Sequence, residues 1–200
     1  MKAYHFTGDT LRNGEPIPPV GVWLEYHGVI IPCQSGLHAS EHPMDALAYA
    51  KRPMLHLVEL EGDLVSHGDP VDKWVGRRRK IIRSINATQL LREFARWCAS
   101  QVLHLWDAPE VVRRYLETGD ESLRAAAWDA TSAAARDTAK DAAKDATRDA
   151  AWDAAWAAAW VAAWAAARVA ARDATSAAQR TKLLEMVEDA MMTEQRKEGE

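Results

Sequence analysis

The sequence predicts an α+β head followed by a long Ala-rich α-helical tail, coiled or doubled back as a hairpin. Three observations carry that expectation. All eight Pro lie at or before Pro109, and eight of the ten Gly lie at or before Gly76. Between Arg124 and Ala178, 28 of 55 residues are Ala, with no Gly and no Pro. The first half mixes short alternating runs with helical periodicity and shows no regular strand–helix–strand alternation, which points to α+β. The expected division is a head over 1–119, an assembly helix over 120–195 and a disordered end over 196–200.

Each element has a local reason. Lys2 to Thr7 alternates aromatic and polar residues and stops at Gly8-Asp9, as a short strand does. Pro16, Pro18 and Pro19 make 13–21 an extended loop. Trp23 to Pro32 reads as a hairpin turning near His27-Gly28. Pro43 to Ala50 fits a short helix with Ser40 or His42 at its start. Met54 to Glu61 is apolar on both alternating faces, which suits a central strand. Arg79 to Ile85 predicts another, with Ile81 and Ile85 on one face and Ile82 on the other. Asn86 to Gln89 looks like a capping box for a helix burying Leu90, Leu91, Phe94, Trp97, Cys98 and Val102. A further helix starts at Asp107, with Pro109 in its first turn, and stops at Thr118-Gly119.

In the tail one position recurs every four residues: Arg124, Trp128, Ser132, Arg136, Lys140, Lys144, Arg148, Trp152, Trp156, Trp160, Trp164, Arg168, Arg172, Ser176, Arg180. Asp usually follows it and Ala fills most of the rest, a strongly helical composition. A four-residue step advances about 400°, so the stripe drifts about 40° per repeat and closes after nine. Taking Trp128 as zero, the cations from 136 to 148 fall between about 80° and 200°, and Trp152 to Trp164 between about 240° and 360°. The five tail tryptophans therefore share one side. A continuous helix from Asp120 to Gln195 would be on the order of 110 Å long and could not bury its own indoles. Trp128, Trp152, Trp156, Trp160 and Trp164 are the candidate self-association residues. Lys182 to Met192 is an ordinary amphipathic end, and TEQRKEGE is expected to fray.

Charge and composition narrow the function. A net charge of −4 makes a general nucleic-acid binder unexpected. Two cysteines, Cys33 and Cys98, are too few for a disulfide scaffold. MKAYHFTGDT has no apolar run for a signal peptide, and the longest uncharged tail stretch, Ala154 to Ala167, is too short to span a bilayer. A cytoplasmic protein without a transmembrane segment is expected; the tryptophan side of the tail leaves surface membrane contact open.

Chemical motifs are sparse. No phosphate-binding Gly loop, HExxH, paired CxxC or GxSxG occurs. His38 and His42 have ligand spacing without a third partner, so no metal is expected. Cys33 is a possible nucleophile, but a free Cys is more often a small core residue. Arg77, Arg78 and Arg79, followed by Lys80, form the one dense basic cluster and are the candidate ligand-binding residues.

Two resemblances add expectations. Tyr4-His5-Phe6-Thr7, with Gly36 to Ser40 and the following Asp45 to Ala50, resembles the opening of ADP-ribosyltransferase-like folds. That resemblance implies NAD or another nucleotide as cofactor, contacts from His5 and Thr7, and His38 where such families often place Tyr. Phe6 stands where Gly is expected, and Glu59 and Glu61 come too early to be the catalytic Glu. The longer motifs KAYHFTGDTLR, SGLHAS, DALAYA, RRRKII and HLWDAPEVVRRYLETGDESLRAAA look like those of uncharacterised phage and prophage proteins. This implies a phage origin and no mechanism. The expected function is a non-enzymatic interaction protein whose head binds a ligand or host partner and whose tail forms a homo-oligomer. Without a nucleotide in the head, no cofactor is expected.

Overall fold

The computed structural model describes residues 1–11, 13–50, 52–101, 103–134 and 156–198; at 105, 156–175 and 198 only the backbone is described. The chain forms two compact units, Met1–Phe94 with Gln179–Glu200, and Ala95–Ala178. The end of the tail thus groups with the strands.

Among its described residues the first unit contains seven strands: β1 (Lys2–Thr7), β2 (Trp23–Glu25), β3 (Leu37–Ala39), β4 (Met54–Glu61), β5 (Val65–His67), β6 (Lys73–Gly76) and β7 (Arg78–Asn86). They form two antiparallel sheets, ordered β1-β4-β7-β2 and β3-β6-β5. With helix α1 (Pro43–Ala48) they bear out the α+β expectation for the head. β4 lies in the middle of its sheet, as its two apolar faces predicted, and Leu55, Val58 and Leu60 are fully buried.

Two expectations are corrected. Residues 23–32 do not form a hairpin: β2 pairs with β7, and Tyr26 N donates to Arg77 O at 2.8 Å. A partner strand distant in sequence outcompetes the local turn. Ile81 and Ile85 lie on opposite faces, because the register passes from Leu57↔Arg83 to Val58↔Ile81 and leaves Ile82 as an extra residue. A bulge of this kind reverses the alternation beyond it.

One face of the larger sheet supplies Ala3, Val58, Leu60 and Ile81 to a core shared with Ala39 of β3, and Leu37 and Trp74 pack against it. The opposite face carries Tyr4 and Leu55. In the same unit, Leu183, Val187 and Met191 form a buried stripe at four-residue spacing on the end of α5 (Trp156–Glu198). Arg180 donates from both terminal nitrogens to the Asp45 carboxylate on α1. α5 continues to Glu198, through the end expected to fray.

Helix α2 (Thr88–Ser100) begins where Asn86 Oδ1 accepts from Thr88 N at 3.0 Å. The reciprocal half of the capping box does not form, since Gln89 donates to Glu93 instead. Phe94 is buried, Leu90, Leu91, Trp97 and Cys98 are half-buried, and Val102 lies outside the described residues.

In the second unit, α3 (Glu110–Thr118) starts three residues later than expected, capped by Pro109, and ends at Gly119. Gly119 has φ 68°, the left-handed conformation that closes helices most cheaply without a Cβ. A turn of 3₁₀ helix, Glu121–Leu123, leads into α4, helical over 124–134 as far as the described residues run. Ala108, Val112 and Ala127 form this unit's buried cluster, with Trp106, Tyr115 and Ala130 packed around it.

Candidate functional site

The two strand histidines of the larger sheet, His5 and His56, are direct cross-strand partners, on the face that holds the core. Alternation along β1 puts Thr7 on the same face as His5, and pairing with β7 adds Ser84 and Arg79. Thr7 Oγ1 lies 2.7 Å from His56 Nε2, and His56 Nδ1 lies 2.7 Å from Ser84 Oγ. His56 is 2% exposed, so both ring nitrogens are satisfied inside the protein. Arg79 is buried too and donates to the His38 carbonyl at 2.6 Å.

Charge in this cluster is of one sign. Burial, then the Arg79 guanidinium, pushes the His56 pKa down to about 4. Burial followed by Arg79, His56 and His38 holds His5 well below the usual imidazole value. Burial also lowers Arg79, to about 10. Neutral imidazoles around one buried guanidinium are the stable arrangement near pH 7.

His5, Thr7 and His38, expected to contact a nucleotide, are thus brought together, around His56 and Arg79 that had not been singled out with them. His56 is held between Thr7 and Ser84, and Thr7 Oγ1 donates its own proton to the Gly8 carbonyl at 3.0 Å. The cleft beside them, lined by Thr7, Leu11, Ile17, Leu24, Arg79 and Ile81, has about 240 Å³ of open space.

The three arginines are separated. Arg77 donates to Asp63 and to the Gly28 carbonyl. Arg78, on the other face of β7 from Arg79, pairs with Glu25 at 3.2 Å and stacks on the Trp23 ring at 4.5 Å. Lys80 pairs with Glu59 at 2.7 Å and stands over the same ring. Three adjacent cations therefore serve three internal roles: Arg77 lies at the bend between β6 and β7, and strand alternation sends Arg78 and Arg79 to opposite faces.

His42 caps α1: its Nδ1 accepts from Met44 N at 3.1 Å, and burial followed by the Arg180 charge lowers its pKa. Among the described residues no group of three or more His, Cys, Asp or Glu is arranged to hold a metal ion. No described helix is long and apolar enough to cross a membrane.

Cys33 departs from the core role weighed for it. It is exposed, at the turn between Ile31 and Ser35, with its Sγ against His67 and Lys73; behind them Asp72 meets His67, and Tyr49 meets Asp72 and Lys73. None of these four was expected at a site. β5 and β6, which present His67 and Lys73, are strands of three and four residues, too short for alternation to mark them.

In the tail, Trp128 lies on α4 and is 74% exposed. Trp152 lies outside the described residues, as do the side chains of Trp156, Trp160 and Trp164.

The first unit is thus an antiparallel two-sheet α+β domain around a closed histidine–arginine network. Residues 1–93 match a family model described as a domain of unknown function, DUF7666. No curated protein and no solved structure matches the chain.

Proposed function

We propose that this is a phage-associated interaction protein of the host cytoplasm. In this reading the strand-rich unit engages a ligand or host partner, and the Ala/Trp helix joins copies of the chain. The phage setting rests on the resemblance of the long sequence motifs. The self-association rests on one observation. α4 packs Ala127, 4% exposed, into the unit's core and leaves Trp128 74% exposed. That inverts an ordinary amphipathic helix, whose largest apolar side chains face the core. An indole buries on the order of 150–250 Å² when covered, so each one paired between chains favours association. Small residues beside it let two helices approach closely, and assembly multiplies whatever the heads bind.

The test is the solution mass of the full chain beside a variant with Trp128, Trp152, Trp156, Trp160 and Trp164 changed to Ala. An oligomer that becomes a folded monomer in the variant supports the reading. A wild-type chain that stays monomeric overturns it, and wild-type monomer bound to lipid vesicles would instead assign the tryptophan side to a membrane surface.

A further inference from the structure

We infer that Cys33, His67 and Asp72, with Lys73 beside them, form a nucleophilic thiol site for acyl transfer, independent of the assembly role proposed above. The Cys33 Sγ lies 3.4 Å from His67 Nε2, and His67 Nδ1 lies 3.3 Å from Asp72 Oδ1. The three groups run in line and do not converge on a point. This is a proton-relay geometry, in which the carboxylate fixes the imidazole so that its other nitrogen faces the nucleophile. Tyr49 Oη donates to the second Asp72 oxygen, which holds the carboxylate in place. That bond, followed by the one from His67, lowers the Asp72 pKa and keeps it anionic.

Two further observations set Cys33 apart from a surface cysteine. Lys73 is only 7% exposed, and its Nζ donates to Cys33 Sγ at 3.3 Å. Its Nζ also stands 3.6 Å from the centroid of the Tyr49 ring, and Asp72 feels its charge, although among the described residues no carboxylate forms an ion pair with it. A buried ammonium is steadied by negative charge, and the atom it donates to directly is a sulfur that becomes negative on losing its proton. Cys33 also has φ 67°, the left-handed conformation that side chains other than Gly, Asn and Asp adopt rarely. Such strain concentrates at functional positions, and here it holds an exposed Sγ against both His67 and Lys73.

The His–Asp relay favours acyl transfer over disulfide chemistry. Cys33 is the only cysteine before Cys98, so the first unit holds no second thiol. The substrate class is an acyl thioester or activated ester. His67 Nε2 takes the Cys33 proton as Sγ bonds to the carbonyl carbon, and the developing oxyanion is stabilised by the Lys73 ammonium. The bond to the leaving group then breaks, and that group departs with the proton from His67, leaving an acyl-Cys33 thioester. Water attacks this carbonyl while His67 accepts its proton. The C–S bond breaks, and Sγ recovers the proton as the carboxylic acid leaves.

The test treats the full chain with p-nitrophenyl acetate and follows p-nitrophenol release together with intact and peptide mass. The expected result is a burst of one equivalent, an acetyl group on Cys33 and turnover after it, with Cys98 unmodified. Cys33→Ser abolishes the burst and Cys98→Ser leaves it unchanged. His67→Asn slows turnover on the order of a hundredfold, and Lys73→Met slows acylation. Acetylation of Cys33 no faster than that of N-acetylcysteine, or equal labelling of Cys98, overturns the inference using wild-type protein alone. Acetylation without turnover overturns the hydrolytic half-reaction.

Discussion

Arg180 and Asp45, 135 residues apart, form a two-pronged ion pair that ties the end of the tail to the first helix of the head. The Asp45 side chain is 18% exposed and the Arg180 side chain 38%, so solvent screens the pair in part. Arg180→Met should lower stability by about 1 kcal/mol, less at high salt. Urea unfolding at low and high ionic strength checks it, and a loss that ignores salt would mean that packing of the Arg stem is what matters.

Leu183 is 1% exposed in the buried stripe next to that pair. Leu183→Ala should cost about 2–4 kcal/mol through lost burial and the cavity left behind. The unfolding midpoint of the head, followed by its Trp signal, should fall with it. An unchanged midpoint would mean that the end of α5 detaches from the strands in solution.

The histidine network predicts acid sensitivity. His56 has a folded-state value near 4 against 6.5 for a free imidazole, so the unfolded chain binds the proton more readily. Stability is therefore full above about pH 6.5 and is lost as pH falls towards 4, by up to about 3 kcal/mol from this residue. His5 is shifted in the same direction and adds to the loss. Urea midpoints measured between pH 7.5 and 4 check this, and a flat profile would refute a buried neutral His56. His56→Gln, which cannot titrate, should make the profile shallower and leave the part that His5 contributes.

Gly36 has φ +100°, and a Cβ there would come within 2.6 Å of Val75 Cγ1, a fully buried side chain. Gly36→Ala should destabilise the β3–β6 pairing by about 2 kcal/mol. Because Gly36 precedes β3 and Cys33 lies three residues earlier, the same change should slow Cys33 alkylation by iodoacetamide. Wild-type stability in this variant would show that the turn can relax.

How much was legible depended on how local each cause is. β4 could be placed residue by residue because a central strand is apolar on both faces. Gly119 announced the end of α3 through its backbone freedom, and Asn86 marked the start of α2. The short strands β3, β5 and β6 left no comparable pattern, and Ile82 gave no sign of the bulge that turns Ile85 to the opposite face from Ile81.

The candidate sites follow the same division. His5 and Thr7 were readable as a pair on one strand face. Their meeting with His56, Ser84 and Arg79 needed β4 and β7 in register. Cys33 was visible as a free thiol, while His67, Asp72 and Lys73 reach it only after two loops close.

By itself the sequence determined elements with local causes: the His42 cap of α1, the start of α2 at Asn86, the end of α3 at Gly119, and the central strand. Only the tertiary structure decided which faces meet, because each of those choices is a contact between residues far apart in the chain. It put the Leu183 stripe with the strands, split the three arginines among internal partners, and left Cys33 exposed beside a histidine and a buried lysine.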